Sequence, residues 1–165
     1  MPEKLASVPG DGEEAPGEPR RPTLARALRR LSTLYRQAGE AYARFRCPAS
    51  AECCQLTRRG RQPWLWPLEW AALEEALERQ HRPVPPPRAD GACPLLDAEG
   101  RRCTVYADRP FGCRTYFCER ASGGRHPLEA TVALSRRLEA LAVEVDPDAA
   151  SVGPRPILDW LRGAR

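Results

Sequence analysis

No stretch of this chain is apolar over the length a helix needs to cross a bilayer. A membrane role is therefore not expected. The opening MPEKLASVPGDGEEAPGEP has no apolar core and is acidic rather than basic, which argues against a secretory signal. Glycine-rich phosphate loops are missing, since Gly10-Asp11-Gly12 sits in this polar opening and not after a strand. There is no G-x-S-x-G elbow, no H-E-x-x-H helix and no C-x3-C-x2-C run. Serine-hydrolase, zincin and radical-enzyme chemistry each lose their usual signature. Lysine is almost absent: Lys4 stands alone, and arginine carries the basic charge behind a net of +4. Those arginines are spread along the chain without a compact basic motif and interleaved aromatics, which speaks against a nucleic-acid partner.

Against these absences stand seven cysteines. Without an export signal the chain is expected in the reducing cytoplasm, where stable disulfides are rare. An odd number also cannot pair fully within one chain. Both points turn the thiols toward metal ligation or catalysis. The 165 residues, 42% of them apolar, suffice for one modest domain with tails. Residues 1–21 read as a disordered acidic tail, 22–146 as the cysteine-bearing domain, and 147–165 as a C-terminal extension with a short helix.

The predicted fold is mainly α, small and irregular: helices around a cysteine-ligated metal site, with one short β-hairpin. Thr23 can cap a helix over about 23–45, where Leu24, Leu28, Leu31, Tyr35, Ala38, Tyr42 and Phe45 form one stripe. Pro67 suits the first turn of a second helix with Leu68, Ala72, Leu73, Ala76 and Leu77 inward. Trp64, Trp66 and Trp70 could offer an aromatic surface to a ligand, but are expected as core anchors around the cysteine site. Residues 81–92 form a proline-rich connector. Leu95–Leu96 and Cys103–Tyr106 read as two strands around a turn at Asp97–Gly100. Asp108 and Pro110 can start a short helix carrying Cys113. A longer helix is expected over about 127–144, with Leu128, Val132, Leu138, Leu141, Ala142 and Val145 inward.

The cysteines fall into two groups, spaced C-x5-C-C at 47, 53 and 54, then C-x9-C-x9-C-x4-C at 93, 103, 113 and 118. Thiolates are soft anionic ligands suited to zinc, copper(I) and iron–sulfur clusters, and four of them complete a zinc site or a cubane. Burying several without a cation is costly. The two groups are therefore expected to converge on one. The spacing is neither a zinc ribbon nor a ferredoxin run, so the residues alone leave the metal open.

Cys53-Cys54, Cys93-Pro94-Leu95-Leu96, Cys103-Thr104-Val105-Tyr106-Ala107-Asp108-Arg109-Pro110-Phe111-Gly112-Cys113-Arg114 and the final Cys118 resemble a known family. These are the YkgJ-type cysteine-cluster (CxxCxxCC) proteins, also described as zinc- or iron-chelating domains. Their signature is C-x-x-C-x-x-C-C, then C-P-x-L, C-x-[VI]-Y-x-x-R-P-x-x-C-R and a last cysteine. Leu56-Thr57 and Glu69-Trp70 also look like family positions, and the resemblance spans about residues 47–118. It implies Cys47, Cys53, Cys54, Cys93, Cys103, Cys113 and Cys118 as metal ligands. The implied cofactor is an iron–sulfur cluster, [4Fe–4S] first, or a zinc or iron ion.

One departure stands out: Ser50 occupies the second cysteine position of the first motif. Either one metal keeps an open coordination position, as catalytic sites do, or a dispensable ligand has been lost. His81 and His126 are the available substitutes, though each reads more simply as a loop histidine. Arg109 and Arg114 flank the second motif, placed to donate hydrogen bonds to thiolates or cluster sulfides, or to pair with Asp108 or Glu119 at the surface. Tyr106 is expected to pack over the site. Three functions remain open: an iron–sulfur or iron protein with a redox or catalytic role, a structural zinc module that binds a protein partner, and a thiol enzyme using Cys53 or Cys54. A metal-dependent oxidoreductase-like or protein-modifying activity, and the protein or redox partner it would need, stay undetermined by sequence.

Overall fold

The structure is a computed structural model that describes residues 22–46 and 50–163. The expected tail over 1–21 lies outside the described residues, as does Cys47.

The chain is mainly helical. Helix α1, Leu24–Ala41, starts as the sequence asks: the Thr23 hydroxyl oxygen accepts from the Arg26 N–H at 3.4 Å. Its inward face is Ala27, Leu31, Leu34, Tyr35 and Ala38. Leu24 belongs to the predicted stripe but is 53% exposed, because the helix overhangs its partners there. The helix also ends four residues before the expected Phe45. Tyr42 leaves the helical path to stack on Phe117, with ring centroids 5.6 Å apart, and its hydroxyl meets Thr131 Oγ1 at 2.7 Å. Tertiary packing here overrides the continuing apolar period.

A single 3-10 turn at Glu52–Cys54 and a short helix α2, Leu56–Arg59, follow. Strand β1 is Trp64–Leu65, and α3 is Pro67–Arg79, opened by Pro67 as predicted. Leu68, Trp70, Leu73, Ala76 and Leu77 are buried along it. Trp70 is a core anchor, whereas Trp64 is 58% exposed and Trp66 only half-buried.

A second 3-10 turn, Tyr106–Asp108, leads to α4, Phe111–Thr115, and then α5, Glu119–Ser122. Asp108 does not cap α4; it takes an ion pair from Arg79 at 2.8 Å. Helix α6, Leu128–Val145, packs along α1 through Leu134, Leu138 and Leu141. Its first turn projects beyond the core, leaving Leu128 71% exposed and Val132 42% exposed. The remaining elements are α7, Ala149–Val152, strand β2, Arg155–Pro156, and α8, Ile157–Leu161.

The short antiparallel sheet is β1 with β2, pairing Trp64 with Pro156 and Leu65 with Arg155. The hairpin expected within residues 95–106 contracts to one antiparallel bridge, Leu96 to Cys103. Its turn forms as predicted, with the Gly100 N–H donating to Asp97 O at 2.9 Å. Leu95 and Leu96 are both buried, and two consecutive inward side chains break the alternation a longer strand requires.

Two apolar clusters result. One joins α1, α6, Leu68 of α3 and Phe111 of α4. The other joins Leu56, Leu65, Trp70, Leu73 and Leu77 to Leu95, Leu96, Val105, Ile157 and Trp160. In the second, the rings of Trp70 and Trp160 stack at 5.5 Å, and Trp160 Nε1 donates to Leu65 O at 3.3 Å. The C-terminal segment is thereby fixed beneath the cysteine-bearing loops.

Candidate metal centre

The two cysteine groups, separated by about forty residues of chain, are joined through backbone. The Cys93 N–H donates to Cys54 O at 2.7 Å, and the Thr57 N–H donates to Gly91 O at 3.1 Å. Gly91 makes this approach possible. Its φ is +68°, and a Cβ there would lie 2.6 Å from Thr57 Oγ1. Neither contact has a local sequence signature.

Each remaining thiol is placed by a short element. Cys53 and Cys54 share the 3-10 turn after Ala51, which itself takes a left-handed φ of 51°. Cys103 is held by its bridge to Leu96. Cys113 sits in the middle of α4, and Cys118 precedes α5, accepting on its carbonyl from the Ala121 and Ser122 N–H groups at 2.9 and 3.0 Å. All six described cysteines are free thiols. All six, with Ser50, line one cavity of about 970 Å³. His81 and His126 are absent from its lining. His126 lies instead against Tyr42 and Phe45, with ring centroids 6.2 and 5.9 Å away.

The electrostatics fit a site built for a cation. Cys53 and Cys54 lie with their sulfurs 3.8 Å apart, within hydrogen-bond reach. The Cys54 S–H stabilises a Cys53 thiolate and draws that thiol down to about 7, with Arg109 helping and burial opposing. Cys54, the donor, is driven strongly upward. Burial pushes Cys93 up to about 12, with Cys103 and Cys53 adding to the shift. Cys113 is driven up by burial and by Cys93, Cys103 and Cys53. Negative charge on Cys53, Cys93 and Cys103 thus opposes ionisation of the thiols beside them, Cys54, Cys93 and Cys113, and a bound cation would relieve that opposition. As the side chains stand, no three His, Cys, Asp or Glu groups among the described residues are drawn together tightly enough to hold an ion. The donor chemistry nonetheless suits a thiophilic metal: among the described residues of the cavity wall, beyond the thiols and Ser50, the only carboxylate is Glu69 and there is no imidazole.

The flanking residues divide. Arg109 donates to Tyr106 O at 2.9 Å, lies 3.9 Å from the centre of the Tyr106 ring, and acts on Cys53 and Cys113. Tyr106 lines the cavity but stays 44% exposed. Arg114 turns the other way, over the Tyr35 ring at 4.2 Å. Its guanidinium donates to Ala107 O and its Nε is buried without a partner.

Sequence reasoning overlooked Glu69 as more than a helix-start position. Its carboxylate is fully buried and accepts from Tyr35 Oη at 3.0 Å, the Phe111 N–H at 2.8 Å and the Trp66 N–H at 3.1 Å. It joins α1, the start of α3 and the start of α4, two residues before Cys113. The available signal was an acidic residue at the third helical position after Pro67.

A small, mainly helical framework with its six described thiols gathered on one cavity defines a cysteine-cluster metal-binding module. The chain belongs to the CxxCxxCC family, described as "Putative zinc- or iron-chelating domain", whose model matches residues 46–130. No curated protein and no solved structure matches it.

Proposed function

We propose that this module holds iron, as an iron–sulfur cluster or as iron alone, and serves a redox or catalytic role in the cytoplasm. The ligands are drawn from Cys47, Cys53, Cys54, Cys93, Cys103, Cys113 and Cys118. The observation that carries the reading is the gathering of six described thiols and Ser50 around one cavity. Ser50 on that wall is consistent with a metal that keeps one position free of protein sulfur, the arrangement catalytic centres use. Arg109 is placed to moderate the negative charge of the thiolates, and Tyr106 to limit water at the mouth. When bound, the metal would supply Lewis acidity or electron transfer. The chain's own part is to hold the thiolates, shield them and admit a substrate.

A second reading, a structural zinc module for protein partners, is favoured by a different observation. Cys54, Cys93 and Cys103 pack directly into the apolar cluster with Leu56, Leu95 and Val105, as structural ligands do. Anaerobic purification with iron, zinc and acid-labile sulfide analysis separates the two. The iron–sulfur reading expects brown protein with a broad absorption band near about 400 nm and stoichiometric sulfide. Colourless protein with zinc bound and no sulfide would establish the alternative.

A further inference from the structure

The cavity is far larger than a metal site requires. At about 970 Å³ it stands at the upper end of small-molecule pockets. Its wall has a marked charge asymmetry among the described residues: Arg46, Arg61, Arg101, Arg102 and Arg109 line it, against one carboxylate, Glu69. Glu69 is already committed to three hydrogen bonds. Arg109 serves the thiols. Arg46, Arg61 and Arg101 form no ion pair among the described residues, while Arg102 acts on the nearby Asp97 carboxylate. Exposed aromatic rings accompany them. Trp64 is 58% exposed at the cavity wall, and Arg61 lies 5.6 Å from the centre of the Tyr116 ring, itself 38% exposed. A guanidinium steadied on a ring face presents its remaining N–H donors in a plane, the geometry that takes a carboxylate or phosphate in paired hydrogen bonds.

We infer that the cavity binds a small organic anion, a carboxylate or phosphate attached to a flat apolar body. The head group meets Arg61, with the other arginines of the wall adding positive charge, and the body lies against Trp64 and Tyr116 in the cavity that the thiols also line. The inference rests on the reading of the thiol cavity as the functional centre and names the class of molecule that centre receives. The apolar walls disfavour a bare inorganic ion, and the arginine rim disfavours a neutral ligand.

The test uses the full chain, purified anaerobically with its metal content measured. Tryptophan fluorescence and calorimetry follow titration with 2-naphthoate, 1-naphthyl phosphate and the neutral 2-naphthalenemethanol. One or both anions should bind at least about tenfold more tightly than the alcohol, and weaken as salt rises. The tighter of the two identifies the head group. Arg61→Ala and Trp64→Ala alter exposed side chains, so they should leave metal content and melting unchanged while each weakens the anion several-fold. Equal affinity for anion and alcohol, or wild-type affinity in both variants, would overturn the inference. So would loss of metal in Arg61→Ala, which would make that arginine a counter-charge to the thiolates. Tight, stoichiometric displacement of naphthoate by a short oligothymidylate would replace the small-molecule assignment with a nucleic-acid one. Metal-loaded protein that ignores every anion refutes this inference alone. Folded, metal-free protein that binds them as expected refutes the metal reading and leaves the anion site standing.

Discussion

Replacing Glu69 tests the framework that positions Cys113. Two variants divide the effect. Glu69→Gln keeps the shape but offers one oxygen and one NH2 in place of two oxygens. If the oxygen keeps Tyr35 and Phe111, the NH2 faces the Trp66 N–H, and donor meets donor. That loses one bond and strands one buried donor, about 1–3 kcal/mol. Glu69→Ala removes both acceptor oxygens, and with them all three bonds, and leaves a void, about 3–5 kcal/mol. Urea denaturation followed by tryptophan fluorescence and far-UV circular dichroism reads both. The pH dependence gives a second handle. Burial raises the Glu69 carboxyl, partly offset by its three hydrogen bonds and by Arg114. The folded protein therefore holds this proton to a higher pH than the unfolded chain does. Between the ordinary carboxyl value of about 4.3 and the raised one, the Glu69 contribution makes stability fall as pH rises. Glu69→Gln should remove that slope. An alanine variant within about 0.5 kcal/mol of the parent, with an unchanged pH profile, would refute the account of Glu69 as the junction of α1, α3 and α4.

Cys103→Ala and Cys113→Ala should each yield poorly folded protein with reduced metal, because a structural metal contributes on the order of 10 kcal/mol of apparent binding energy; parental melting curves in both would show that the thiols do not hold the fold. Ser50→Cys should change the metal count or the absorption spectrum, and an unchanged pair of measurements would place residue 50 beyond the metal's reach. Gly91→Ala should destabilise by about 1–3 kcal/mol, since the new methyl would meet Thr57 in a strained backbone region; calorimetric melting at the parental temperature would contradict that contact.

What the sequence revealed was mostly local. The Thr23 cap, the Pro67 start, the short Cys113 helix and the helix after Pro127 depend on neighbours in the chain, and all are present. The membership of the thiols in one family was also legible, through the resemblance carried by Cys53-Cys54, Cys93-Pro94-Leu95-Leu96 and the run from Cys103 to Arg114. The bonds that bring them together were not. Cys54 to Cys93, Thr57 to Gly91, and the pairing of Trp64–Leu65 with Arg155–Pro156 join distant backbone groups that leave no period to read. The same limit explains Leu128 and Val132, whose spacing marks a face but not where the partner helix ends. It also explains Glu69, which composition would place at the surface and which three donors draw inside.

Sulfur and hydrocarbon share one cluster here: Cys93 belongs to it with Leu73 and Ile157, and Cys54 and Cys103 pack against it. On the proposed function, extracting the ion therefore loosens the hub of the molecule at the same moment, and occupancy and longevity become a single variable. In a cell starved of that metal, such a chain would be removed by proteases before it could accumulate empty, so its abundance would itself report supply.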